Sequence, residues 1–305
     1  MKVLIGVDGT DNSLAAVRLT GRLLSPQHDQ VAFFYAPPAG LLKAGSVNPA
    51  LSTRAREAVV SAVFDEAAKH LPEAFRQNLE RIEGTQPAKR TLLEAADRWN
   101  AELIVVGARG MSRLERVTLG SVSRAVAHNF RAAVLVVRGL SAQDAQRSLR
   151  VILASEPAGA DNRVVELLSQ LSFPADAQGS VATVIESMLA GELPPWLEER
   201  VRKADTEELA KAWVEEHARQ RDQAVENMRS LCRQLPPTFH RGEPILAEGP
   251  PADRILETLE SENADLVVVG AHGRGLLERL LVGSTSEKIL AHANCSVLIV
   301  RQTSK

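Results

Sequence analysis

The sequence predicts an α/β protein made of two consecutive copies of one unit, each a five-stranded parallel sheet flanked by helices. Three observations lead there. Short apolar runs such as Val3–Val7 and Leu103–Val106 alternate with helical patterns, as buried parallel strands joined by right-handed crossover helices do. Val105-Val106-Gly107-Ala108-Arg109-Gly110, followed after nine residues by Gly120-Ser121, returns as Val268-Val269-Gly270-Ala271-His272-Gly273, nine residues, Gly283-Ser284. The spacing between the copies is 163 both times (270 minus 107, and 283 minus 120), and Leu103, Leu114, Glu115, Arg116, Leu135 and Arg138 also meet identical residues at that offset. One such Gly/Gly/Gly/Ser pattern arises by chance in about 1% of chains this long; two behind apolar strands mark a duplication.

In the first copy, Val3–Val7 is a strand ending in the capping-rich turn Asp8-Gly9-Thr10-Asp11-Asn12-Ser13. A helix over 14–24 carries Ala15, Ala16, Leu19 and Leu23 on its apolar side and stops at Ser25-Pro26. Val31–Ala36 is the second strand, closed by Pro37-Pro38, and a helix over 51–70 follows. A short strand over 79–83, a helix over 91–100, a strand over 103–106, a helix over 121–130 and a strand over 133–137 complete the unit. The polar stretch 141–149 reads as a linker between domains at 1–140 and 150–305.

The second copy repeats the order, with strands over 151–154, 181–185, 244–247, 265–269 and 296–300. Residues 186–235 form an enlarged helical region, in which Asp205-Thr206-Glu207-Glu208 resembles a capping box. Leu209, Trp213, Val225, Met228 and Leu231 supply its expected buried stripe.

Composition narrows the function. The 305 residues carry 36 basic and 38 acidic side chains, a net charge of −2, which gives no strong field for nucleic acid or an anionic membrane. Cys232 and Cys295 are the only cysteines, which fits a reducing, cytoplasmic setting rather than a disulfide framework. No apolar run reaches membrane-spanning length. There is no Gly-Lys dipeptide for a Walker loop, no Gly-x-Ser-x-Gly elbow, and the order Gly270-x-x-Gly273-x-Gly275 is not the dinucleotide fingerprint. No protein metal site is expected, because His272 has no second ligand at suitable spacing.

The glycine loops leave the carboxyl ends of strands, where open parallel sheets hold ligands. Glycine lets a ligand approach the backbone, and a helix opening at Gly120-Ser121 or Gly283-Ser284 presents N–H groups without internal partners. With the hydroxyls of Ser121, Ser123, Ser284, Thr285 and Ser286, this suits a phosphate chain; Arg109, His272 and Arg274 are further phosphate candidates. Asp8 is placed to meet a ribose hydroxyl or a nucleotide-bound Mg²⁺, or to cap the following helix; the second copy has Glu156-Pro157 there.

The doubled Gly-x-x-Gly, nine residues, Gly-Ser, behind a Val-Val strand and with Val7-Asp8 ending the first strand, resembles the universal stress protein family in its tandem form. The resemblance implies a Rossmann-like sheet of order 3-2-1-4-5 in each half and, for the nucleotide-binding branch, ATP as ligand. It places ATP against Asp8, Ala36, Gly107, Arg109, Gly110, Gly120, Ser121, Val122 and Ser123 in the first half. In the second half the matching residues are Gly270, His272, Gly273, Gly283, Ser284, Thr285 and Ser286, with the counterpart of Ala36 falling near Ile185 or Glu186. Family members commonly dimerise through the fifth strand, so the two fifth strands are expected to cover each other as an intramolecular pseudo-dimer, with a homodimer as a further option. The expected role is a stress-response ATP-binding regulator; the alternatives are a weak ATP hydrolase, or a nucleotide-free adaptor or small-molecule binder using the helices at 186–235.

Overall fold

Runs of Val, Ile and Leu without polar interruption cannot leave either face in water, so helices must cover both sides of such a sheet. The computed structural model describes residues 1–38, 49–108, 119–138, 147–160, 162–186, 206–271 and 283–301; the side chains of 49–52 and 206–214 lie outside that description. The strands are β1 Lys2–Gly6, β2 Gln30–Tyr35, β3 Glu80–Glu83, β4 Leu103–Gly107 and β5 Ala133–Val137, then β6 Arg150–Ser155, β7 Gln178–Ile185, β8 Ile245–Glu248, β9 Leu266–Gly270 and β10 Ser296–Val300. The main helices are α1 Asp11–Leu23, α2 Pro49–Lys69, α3 Ala88–Trp99 and α4 Ser121–Asn129, then α5 Asn162–Gln170, α6 Thr206–Gln234, α7 Pro251–Ser261 and α8 Ser284–His292.

Each half has the order 3-2-1-4-5, and all neighbours within a half are parallel. The halves join where β5 and β10 pair antiparallel, with Val134 opposite Ile299, Leu135 opposite Leu298 and Val136 opposite Val297. Ten strands thus form one sheet in the order β3-β2-β1-β4-β5-β10-β9-β6-β7-β8.

Side chains alternate between the two faces. Val3, Ile5, Val105 and Leu135 meet Leu19 and Leu23 of α1 and Phe64 of α2 on one face; Val151 and Val268 there meet α5 and α6. Leu4, Ile104, Val106 and Val134 lie on the other face with Leu92 of α3 and Val126 of α4, and Val267 and Ile299 with Ile255 of α7 and Ile289 of α8. Sequence duplication extends to backbone detail. Asn100 and Asn263, 163 residues apart (263 minus 100), follow α3 and α7 in the left-handed region at φ 56° and 50°, where asparagine is tolerated better than most residues.

Several elements start earlier than the apolar pattern suggests. Helix α1 begins at Asp11 because Thr10 caps it, its hydroxyl accepting from Ser13 N; capping positions carry no apolar signal. Helix α3 begins at Ala88, right after Pro87. Strand β7 begins at Gln178, three residues before the expected start, because Gln178 and Gly179 pair with Arg150 and Val151.

The 29-residue α6 is about 43 Å long at 1.5 Å per residue, longer than any strand beside it. Its buried anchors are Ala224, Met228 and Leu231, whereas none of residues 215–223 is buried. Leu209 and Trp213 of the expected stripe have side chains outside the described set. Among the described side chains, the buried anchors of α6 thus lie in its carboxyl half. Met228→Ala is expected to lower unfolding free energy by about 2–5 kcal/mol, while Arg219→Ala stays within about 0.5 kcal/mol. Urea unfolding of both variants measures the contrast.

Candidate functional site

In each half the strand order reverses between the first and fourth strands, the kind of switch point at which open parallel sheets hold ligands in a crevice beyond their carboxyl ends. Gly6 pairs with both Phe34 and Val106, so Asp8, Ala36 and Gly107 emerge at the carboxyl ends of three adjacent strands. These are the sequence-predicted residues that the fold brings together. Arg109, Gly110, His272, Gly273 and Arg274 lie outside the described residues.

Asp8 Oδ1 accepts from Thr10 N at 3.0 Å and from Thr10 Oγ1 at 2.5 Å. Thr10 in turn caps α1, and Asp8 N donates to Ser13 Oγ at 3.3 Å. Gly9, at φ +78°, supplies the left-handed step that folds this turn back. Asp8 is thus held by its own turn and remains half-buried. Beside it, burial and then the Asp8 charge raise the Tyr35 hydroxyl above its ordinary pKa. Ala36 is buried, and its carbonyl accepts from Gln86 Nε2 at 3.0 Å.

The glycine loop is closed at its base. Ala108 N donates to Val137 O at 2.8 Å, and Gly120 N to Ala108 O at 2.8 Å. Gly120 is the N-cap of α4, with φ −62°, ψ 154° and no side-chain cap. Gly283 does the same for α8 at φ −59°, ψ 154°. An N-cap without a side chain leaves the first-turn N–H groups of Ser121, Val122, Ser284 and Thr285 open to another acceptor, at the positive end of the helix.

Two predicted contributors have structural work of their own. Ser123 is buried, and its Oγ donates to Gly107 O at 2.6 Å. Ser286 repeats this with Gly270 O at 2.7 Å. These hydroxyls fasten each helix to the strand before it. A Cβ on Gly107 would stand 2.8 Å from the Asn12 carbonyl carbon and oxygen, so this glycine admits the first turn of α1. Sequence reading could not see that constraint, because it lies between segments 95 residues apart in the chain (107 minus 12).

The second half differs at the first strand. Glu156 is exposed and begins a tight turn in which Gly159 N donates to Glu156 O at 2.9 Å. Pro157 O accepts from Asn227 Nδ2 of α6 at 2.8 Å. The register also moves one expected residue. Gly6 pairs with Phe34 and Ala154 with Ala182, so Ala36 corresponds to Val184, not to Ile185 or Glu186. The longer β7 shifted the count, and the residue at the register position of Ala36 is a buried valine.

A cavity of about 620 Å³ lies elsewhere, between α7 and α8, and reaches Ala264 and Cys295 at the amino ends of β9 and β10. Its charged groups are paired: Lys288 with Asp253 at 2.5 Å, and Glu260 with Asn294 at 3.2 Å. By contrast, the helix openings at Gly120 and Gly283 have no side-chain cap. Among the described residues no group of three or more His, Cys, Asp or Glu could hold a metal ion, and no helix is long and apolar enough to cross a membrane.

Gly107→Ala is expected to cost about 1–3 kcal/mol through overpacking against α1, read as a lower thermal midpoint. Burial pushes the Cys295 thiol up to about 12 and also raises that of the half-buried Cys232, which is the more accessible of the two. The reactive thiolate is therefore scarcer at Cys295. Timed alkylation of the folded protein at pH 8, followed by peptide mass spectrometry, should label Cys232 first.

Comparison with known proteins agrees with the fold. A universal stress protein from Mycolicibacterium smegmatis is 29% identical over 306 aligned residues, covering 98% of this chain and 96% of that protein. Universal stress protein A homolog 2 of Coxiella burnetii is 31% identical over 158 residues, 52% of this chain and 97% of that protein. A crystal structure of a universal stress protein from Archaeoglobus fulgidus superposes with a TM-score of 0.56 at 18% identity, covering 99% of this chain and 98% of that one. A putative universal stress protein from Pseudomonas aeruginosa gives 0.60 at 15% identity, covering 98% and 92%. The model of the universal stress protein family matches residues 1–138 and again 175–301, so the same family is met twice along the sheet, and this chain belongs to the universal stress protein family.

Proposed function

We propose that the protein is an ATP-binding regulator, built as two domains at 1–140 and 150–305 with a linker at 141–149, and that the first half holds the more complete site. One observation carries this reading. At the switch point of each half, a helix opens at a glycine N-cap with no side chain to occupy its N–H groups, beside a loop with the family's glycine spacing. Such an opening favours a phosphate group. In the first half Asp8 and Ala36 flank it across the sheet, in reach of a ribose and a base. Arg109, Gly110, His272, Gly273 and Arg274 complete the two loops in this reading. Val184 gives the second half an apolar wall like Ala36. There Glu156-Pro157 replaces the Asp8 turn, adding a methylene to the carboxylate and removing an N–H donor.

Regulation is favoured over catalysis. The Asp8 carboxylate is bonded twice by Thr10, which suits orienting a ribose or a Mg²⁺-bound nucleotide more than accepting a proton from water. A bound nucleotide would act by favouring one conformation or partner. The antiparallel β5–β10 seam supports reading the chain as an intramolecular pseudo-dimer. The stretch 215–223 of α6, exposed except for the half-buried His217, supports a second reading, a partner-binding arm on the second half. A cytoplasmic location fits the composition.

Extraction of the purified full-length protein is expected to release adenine nucleotide. Asp8→Ala should weaken ATP binding by about tenfold, and the double variant Gly110→Val with Gly273→Val should abolish it, because a β-branched side chain would stand where phosphate approaches backbone. Gly273→Val alone should keep the tighter site. Wild-type protein without nucleotide and without ATP affinity in equilibrium dialysis would refute the reading.

A further inference from the structure

Two arginines sit at matched positions directly after the fifth strands, Arg138 and Arg301, and each crosses the seam. Arg138 Nη1 donates to Ala293 O at 2.7 Å and Nη2 to Leu290 O at 2.6 Å. Those carbonyls belong to the last turn and C-cap of α8. Arg301 donates to Phe130 O and Ala127 O, the corresponding positions of α4. All three offsets are 163 (301 minus 138, 293 minus 130, 290 minus 127). Arg301 is buried, at 5% exposure. The last carbonyls of a helix lack internal partners and carry its negative end, so a guanidinium there satisfies two acceptors and complements the dipole.

The origin of each arginine gives the contact its meaning. Val137, just before Arg138, pairs with Gly107 and accepts from Ala108 N at the base of the first loop. Val300, just before Arg301, pairs with Gly270 and accepts from Ala271 N at the base of the second. Each arginine therefore springs from the base of its own glycine loop and grips the far end of the helix that opens at the other loop. The helices are nine residues each, about 13 Å at 1.5 Å per residue. Ser123 and Ser286 tie their first turns to the strand before them. A helix fastened at both ends is a rigid carrier for the N–H groups at its start.

We propose that Arg138 and Arg301 are crosswise positioning residues, Arg301 seating α4 for the loop of the first half and Arg138 seating α8 for the loop of the second, so that each half's site depends on the other half. The dependence on a ligand rests on the nucleotide reading above; the seating of the helices does not. Methionine keeps much of the arginine volume and removes its donors, and lysine returns one donor group and the charge.

Hydrogen exchange of the ligand-free full chain tests the seating. Arg301→Met should speed exchange of peptides covering 121–130 by about tenfold and spare 284–293, Arg138→Met should do the reverse, and Arg301→Lys should recover part of the loss. Equal acceleration of both helices, or none, would overturn the proposal. A variant that does not fold is replaced by Arg301→Lys, whose smaller change must still fall on 121–130 alone. Equilibrium dialysis with ATP tests the consequence: Arg301→Met in a Gly273→Val background should weaken binding at the remaining first-half site by about three- to tenfold. Unchanged affinity would overturn the positioning role. Absence of ATP binding in the wild type would overturn the nucleotide reading, and the exchange pattern would then judge the arginines alone.

Discussion

Two five-residue strands, Ala133–Val137 and Ser296–Val300, are buried at every position, and each is the last strand of its half. Left open, either would present an apolar row with unpaired N–H and C=O groups, a template for aggregation. The chain satisfies both at once by pairing them antiparallel, and much of the remaining architecture follows. The pseudo-twofold relation centres on Leu135 opposite Leu298, the two crevices open on the same sheet, and Arg138 and Arg301 come within reach of the opposite helices. The other edges, β3 and β8, are four residues long and carry charged side chains. Short, charged edges tolerate water and resist further pairing.

The two halves share a scaffold but not a first-strand turn. In the first, Asp8, Gly9 and Thr10 form a closed polar turn capping α1. In the second, Glu156 to Gly159 makes its own bridge and leans on Asn227 of the long helix. An arginine on the long helix meets the glutamate ending the third strand in both halves, Arg56 with Glu83 and Arg221 with Glu248. The long helices are thus tethered alike at the strand ends, while α6 extends further and touches the turn beside the crevice. The halves thus differ most plainly at the turn after their first strands, while Gly120 and Gly283 open their helices alike.

Strand identity and the duplication were legible because their causes are local, unbroken apolar runs bounded by turn residues and repetition at a fixed offset; the strand order within each half followed from the resemblance to the universal stress protein family. Helix starts were less legible, since Thr10 announces α1 through a hydroxyl and Pro87 marks the start of α3 only by position. The counterpart of Ala36 was misplaced by one or two residues because register is set between strands; only the pairing of β6 with β7 reveals Val184. The reasons for Gly107 and Ser123 were hidden for the same cause. One makes room for Asn12 and the other bonds a carbonyl sixteen residues back. The crossed arginines showed in sequence only as an identical pair after a strand; their targets are more than 150 residues away.

Joining the fifth strands within one polypeptide has an evolutionary and a kinetic consequence. An assembly of two identical chains must accept every substitution twice and loses its seam on dilution. Here the partner is tethered at fixed effective concentration, so assembly does not depend on how much protein the cell holds. Each copy is also free to change alone. The turn at Glu156 and the eight extra residues of α6 over α2 (29 against 21) are differences of this kind between the two halves.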